Sequence, residues 1–93
     1  MQFTKEPNRI YANNEYGKLV AEVTFPSQKP GVVNINHTFV DDSLRGQGIA
    51  ALLMEECYDM LKDDGRKAVP TCSYAVKWYR EHPDKNDIVE KIT

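Results

Sequence analysis

Residues 32–61 read VVNINHTFVDDSLRGQGIAALLMEECYDML, from Val32 to Leu61, and the change of period along them decides the fold. The first nine are rich in β-branched side chains and alternate. Val33, Ile35, His37 and Phe39 share one face, and Asn34, Asn36 and Thr38 the other, which predicts one half-buried strand from Val32 to Val40. From Gln47 to about Asp63 the period becomes helical. Ile49, Leu53, Cys57 and Leu61 recur every four positions with Ala50, Met54 and Tyr58 beside them, while Glu55, Glu56, Asp59 and Lys62 lie opposite. Between strand and helix runs a loop, Asp41 to Gly48, that carries Arg45, Gly46 and Gly48.

Upstream, Arg9 to Ala12 and Lys18 to Phe25 are rich in Tyr, Val, Leu and Thr and flank a turn-forming stretch ending in Gly17, which predicts an antiparallel hairpin. Pro26 to Gly31 reads as a break. Downstream, Gly65 suits the end of the first helix, Arg66 to Thr71 predicts a short strand, and Ser73 to Glu81 a second helix closed by Pro83. Ile88, Val89 and Ile92 sit at helical spacing in the tail. No repeat or low-complexity segment interrupts this order. Residues 1–93 therefore read as a single compact domain with a thin core, since a chain this short buries only about two thirds of its unfolded surface.

Apolar residues at 41% and charged residues at 28% give a globular balance, not a disordered one. A formal net charge of −2 offers nothing to a nucleic acid or an anionic membrane, so any anion site must be local. Two cysteines, Cys57 and Cys72, are too few for a disulfide framework and fit no zinc pattern. They point to a reducing, cytoplasmic setting and to no metal. Met1 to Pro7 carry charges without an apolar run, and no segment approaches the roughly 20 apolar residues that span a bilayer.

The loop before the first helix has the makings of a phosphate site. A helix start presents unpaired backbone N–H groups and a partial positive charge, and Gly46, Gly48 and Ala50 leave the approach clear. Arg45 supplies a cation, either to phosphates or to clamp the loop. A P-loop is excluded, because Ile49 and Ala50 stand where Lys and Ser or Thr are required. Gly46, Gly48 and Ala51 satisfy the letters of a dinucleotide fingerprint. The next strand, however, ends in Thr71, Cys72 and Ser73, without the acidic residue that holds a ribose.

Arg45, Gly48 and Ala50 form Arg-x-x-Gly-x-Ala, which resembles the acetyl-CoA pyrophosphate loop of the Gcn5-related N-acetyltransferases. Ala75 and Tyr79 match part of a second pattern of that superfamily, Asn-x-x-Ala-x-x-x-Tyr, with Cys72 in place of the Asn. His37-Thr38, Leu44 to Gly48, Pro70-x-Cys72-Ser73-Tyr74 and His82-Pro83 together are similar to a subfamily of small stand-alone acetyltransferase-like domains, over roughly Val32 to Asp87. The resemblance implies an α/β (α+β) fold: a mixed, mostly antiparallel sheet with one splayed parallel strand pair and helices packed on it. It further implies an acetyl-CoA site formed by Phe39, Val40, Leu44, Arg45, Gly46, Gln47, Gly48, Ile49, Ala50 and Tyr74, and an amine as acetyl acceptor. Larger members place a strand and two helices before the central sheet, so the acceptor side of this chain is expected to be open.

Within that resemblance Cys72, His37 and Tyr79 are the catalytic candidates. Cys72 precedes the second helix, whose N-terminus favours a thiolate, and would take the acetyl group with His37 as its base. Alternatively His37 or water deprotonates an amine that attacks the thioester directly, and Tyr79 is the general acid in either route. Each has a plainer reading: Cys72 as a small buried residue, His37 as a core histidine, Tyr79 as cover for the core with Trp78. Cys57 belongs to the helix stripe, and His82 can cap the second helix. Asp41 and Asp42 either steer a cationic amine or favour the helix dipole, and Lys77 and Arg80 either meet the CoA 3′-phosphate or form a solvated face. A CoA-binding module without turnover is the alternative to an enzyme.

Overall fold

The computed structural model describes residues 1–90. The N-terminal half is an antiparallel sheet in the order β1-β2-β3-β6, with β1 at Thr4–Glu6, β2 at Arg9–Asn13, β3 at Leu19–Thr24 and β6 at His37–Val40. A second sheet, in the order β4-β5-β7, holds β4 at Ser27–Lys29, β5 at Val32–Ile35 and β7 at Lys67–Pro70. The β5–β7 pair is parallel, from Val32 beside Lys67 to Ile35 beside Pro70. Helices α1, Ile49–Asp64, and α2, Ser73–Glu81, complete the mixed α/β architecture that the order of periods implies.

Helix α1 lays Ile49, Leu53, Met54, Cys57, Tyr58 and Leu61 against β2, β3 and β6. Ile10, Ala12, Ala21 and Val23 meet it from the sheet. Each fully buried large aliphatic contributes about 1.5–3 kcal/mol, and this seam is the centre of a thin core. Gly65 ends the helix in the left-handed region at φ 70°, its N–H reaching the carbonyls of Leu61 and Lys62.

The strand expected from Val32 to Val40 is two strands. At Asn36 the chain leaves one sheet for the other: the Ile35 carbonyl accepts the amides of Thr71 and Cys72, while the Asn36 amide donates to Thr24 at 3.3 Å. The Thr24 hydroxyl also donates to Asn36 Oδ1 at 2.6 Å. The inserted residue slips the alternation by one, as a bulge does. Val33 and Ile35 face the core before it; after it Thr38 and Val40 do so, opposite Val23 and Ala21. His37 and Phe39, paired with Thr24 and Glu22, fall on the outer face. The single apolar face of Val33, Ile35, His37 and Phe39 is thereby corrected.

β4 falls where the sequence reads as a break, and β1 falls in the opening, which counts as a strand only on a generous reading. β1 and β4 are three residues long and wholly exposed, held by pairing to β2 and β5. In the tail, Pro83–Ile88 is a 3-10 turn, after which Val89 bridges to Ala68 and the Glu90 amide donates to the Ala68 carbonyl. Ile92 lies outside the described residues.

Candidate functional site

Beyond the parallel pair, which ends at Ile35 and Pro70, β6 leads into the loop to α1, and a cleft of about 450 Å³ opens there. Its floor is the core-side face of β6, Thr38 and Val40. One wall is Leu44, Arg45, Gly46 and Gly48, another is the first turn of α1 at Ile49, Ala50 and Ala51, and Tyr74 of α2 closes the side. Because β6 pairs with β3 and β7 with β5, nothing joins β6 to β7 beyond Ile35, and the two diverge into this space.

The loop is built by local rules. Asp41 accepts from the Ser43 amide at 3.1 Å and the Ser43 hydroxyl at 2.7 Å, starting a 3-10 turn at Asp42–Leu44. These bonds, with Lys18 at 3.4 Å, hold the Asp41 carboxyl below its usual value. Asp42 pairs with Arg45 Nε at 2.7 Å, so the arginine both lines the cleft and is tied to its own loop. Exposed pairs of this kind contribute little to stability. Gly46 and Gly48 then take φ 81° and 72°, and Gly48 caps α1 from the left-handed region without a side-chain bond. No protein atom lies within 4 Å of a Cβ added at either glycine, so the dihedral and not crowding demands glycine here. Among the described residues the amides from Gly46 to Ala51 have no recorded acceptor, and the next one, Leu52, is the first to close a helical bond, to Gly48.

Cys72 is not part of the lining but touches the floor residue Thr38. It caps α2, its Sγ accepting from the Ala75 amide at 3.4 Å, and the Thr38 hydroxyl is 3.4 Å away on the other side. Thus Val40, Leu44, Arg45, Gly46, Gly48, Ile49, Ala50 and Tyr74 come together around the cleft, and Cys72 adjoins it through Thr38. Thr38 and Ala51 join them unforeseen. Phe39 does not, being on the outer face, and exposed Gln47 is not among the lining residues either.

His37 and Tyr79 stand apart from the cleft. His37 is half exposed on the outer face, its Nε2 3.5 Å from Glu22, on the opposite side of β6 from the Thr38 side chain that touches Cys72. The pairing of His37 with Cys72 as base and nucleophile is therefore not present. Tyr79 is fully buried in the core cluster, its hydroxyl without a hydrogen-bond partner, and burial pushes the phenol strongly upward. Cys57 is likewise sealed in the core, its thiol pushed up to about 12 by burial. Burial also raises the Tyr74 phenol, which keeps the one tyrosine lining the cleft protonated. Lys77 lines a separate groove with Thr71, Ser73 and Arg80. His82 donates from Nδ1 to the Trp78 carbonyl at 2.7 Å and stacks on that indole, a C-terminal cap.

A model of the family described as GCN5-related N-acetyl-transferase matches residues 9–88. The chain belongs to that family. Protein NATD1 of Gallus gallus is 38% identical over 52 residues, covering 56% of this chain and 47% of that protein. The chain thus spans about half the length of the curated relatives it matches. Among acetyltransferase-like structures, a GCN5-like protein from Staphylococcus aureus solved in solution shares the fold at a TM-score of 0.78 and 24% identity, over 99% of this chain and 90% of that one. The GNAT family N-acetyltransferase YhbS of Escherichia coli, crystallised with CoA, superposes at 0.62 with 25% identity, over 74% of this chain and 42% of that one. Among the described residues no three His, Cys, Asp or Glu side chains gather as a metal site, and no helix is long and apolar enough to cross a membrane.

Two outcomes follow from this geometry. Tyr79→Phe removes an unpaired buried hydroxyl, and the variant should be as stable as the native chain or up to about 1 kcal/mol more so in thermal unfolding; a clear loss would mean the hydroxyl is satisfied. Asp41 has its carboxylate favoured in the folded loop, so its contribution is complete above the usual 3.8 and is lost as pH falls below that value. The Ser43 amide resonance should stay fixed down to that pH and move below it, and should not move there in Asp41→Asn.

Proposed function

We propose that the cleft binds acetyl-CoA and that the chain transfers the acetyl group to an amine through Cys72. The observation that carries this reading is the run of amides without acceptors from Gly46 to Ala51, at the start of a 16-residue helix, beside a cleft whose floor residue Thr38 touches Cys72. A diphosphate placed there meets N–H donors and the positive end of the helix together. Arg45 stands in one wall, and the apolar side chains of Val40 in the floor and Ile49 in the other wall suit the pantetheine arm. The CoA complex of the E. coli neighbour, at 25% identity, supports the same assignment.

In the proposed reaction the Cys72 thiol gives its proton to solvent, and the thiolate attacks the acetyl carbonyl. The Cys72 S–C bond forms, the C–S bond to CoA breaks, and CoA departs as a thiolate that takes a proton from water. An amine then attacks the acetyl-cysteine. The N–C bond forms, the thiolate returns to Cys72, and the nitrogen loses a proton to water. The first exchange is thioester for thioester and costs little. Tyr74, not Tyr79, is the phenol at hand. A phenol raised by burial is too weak an acid to protonate a thiolate, so its role is to donate a hydrogen bond to the departing sulfur. Two unpaired thiols fit a reducing cytoplasm.

Intact-mass measurement after exposure to acetyl-CoA should show one acetyl on the native chain and none on Cys72→Ala. CoA affinity retained with no acetyl on the native chain and none passed to any offered amine would instead mark a binding module without turnover. Gly48→Ala forces a left-handed alanine at about 1–2 kcal/mol and depopulates the open loop, so calorimetry should find CoA bound about tenfold more weakly. Unchanged affinity would remove the loop from the site.

A further inference from the structure

We infer that Thr38 is the positioning residue for Cys72: its hydroxyl is the second donor to the cysteine sulfur and takes the place that a base would otherwise fill. The inference rests on the reading of Cys72 as the acetyl carrier. Two groups converge on Sγ, the Ala75 amide at 3.4 Å from the first turn of α2 and the Thr38 hydroxyl at 3.4 Å from β6. One belongs to each side of the splayed gap, so the sulfur is fixed at its apex.

The hydroxyl can reverse its role and the amide cannot. While Cys72 is a thiol, its S–H can donate to Thr38 Oγ1. Once the proton has gone to solvent, the thiolate only accepts, and rotation of one O–H bond turns Thr38 into a donor without moving a heavy atom. Bonds to an ionised group are roughly twice as strong as neutral ones, so both contacts strengthen when the charge appears. They weaken again when Sγ becomes a thioester sulfur, a poor acceptor, which leaves the acyl group free for the amine. The basic side chain expected beside the thiol is on the other face of β6, because the bulge at Asn36 puts Thr38, not His37, over the cleft. Glu22 and, through it, Arg9 face that histidine on the outer surface, and neither touches Cys72.

Two readouts are measured on the full chain: the single-turnover rate of Cys72 acetylation by acetyl-CoA, and the rate of Cys72 alkylation by iodoacetamide, with buried Cys57 as the unreactive control. Thr38→Val keeps the β-branched shape and removes the donor; it should slow both rates by about tenfold or more. Thr38→Ser should return both to within about threefold of native, since the donor is restored. Thr38→Ala provides a second hydroxyl-free variant should the valine chain fail to fold. Native rates in Val or Ala, or a Ser variant as slow as Val, would overturn the inference. A native chain that alkylates quickly but never acetylates would sink the acetyl-carrier reading alone, because the alkylation rates still measure Thr38.

Discussion

The carbonyl of Ile35 accepts two amides, Thr71 and Cys72, while the next amide along the chain, that of Asn36, turns away to Thr24. This divergence of hydrogen bonds at one peptide unit ties β7 to β5 and β6 to β3. A continuous strand would have kept β6 alongside the segment that follows β7 and left no room between them. Because the backbone bonds are committed to different sheets, the gap does not depend on a ligand to hold it open, and its apex is fixed where Cys72 meets Thr38. The loop from Asp41 to Gly48 inherits its position from the same event, since it starts at the end of β6.

Much of the fold could be read from the chain because its determinants are local. The α1 stripe, the αL glycine at 65 and the boundaries of α2 follow from residues within a turn of one another. Ser27–Lys29 could not be read and Thr4–Glu6 only on a generous count, since SQK and TKE carry no apolar alternation and become strands only by pairing with a neighbour. The slip at Asn36 was concealed for a related reason. Hydrophobicity shows a period but not its phase across an inserted residue, and Phe39 continues the Val33 and Ile35 pattern well enough to hide the change.

The same distinction divides the site. Gly46, Gly48 and the helix start form a local motif, and the loop lines the cleft. Thr38 and His37 lie on the opposite faces from those expected because their faces depend on the phase of the bulge. Tyr74 and Tyr79 are five residues apart on one helix, which points them in different directions. The first-turn tyrosine reaches the cleft, and the later one packs in the core. Sequence spacing places both on α2 but does not say which side of that helix meets α1.

The two thiols show how strongly position governs reactivity in a chain this small. Cys57 and Cys72 share the same chemistry, yet one lies mid-helix among apolar neighbours, where ionising it would put a charge into the core. The other ends a strand and begins a helix, so a backbone amide already points at its sulfur. A helix start offers N–H groups that have no other claim on them, and the chain uses this twice: at α1 around the glycines, and at α2 around the cysteine. A site made from backbone donors needs few charged side chains, so a net charge of −2 is compatible with the anion site proposed for the cleft. It also explains why the polar side chains of the opposite sheet face, Arg9, Glu22 and His37, are engaged with one another and not with the cleft.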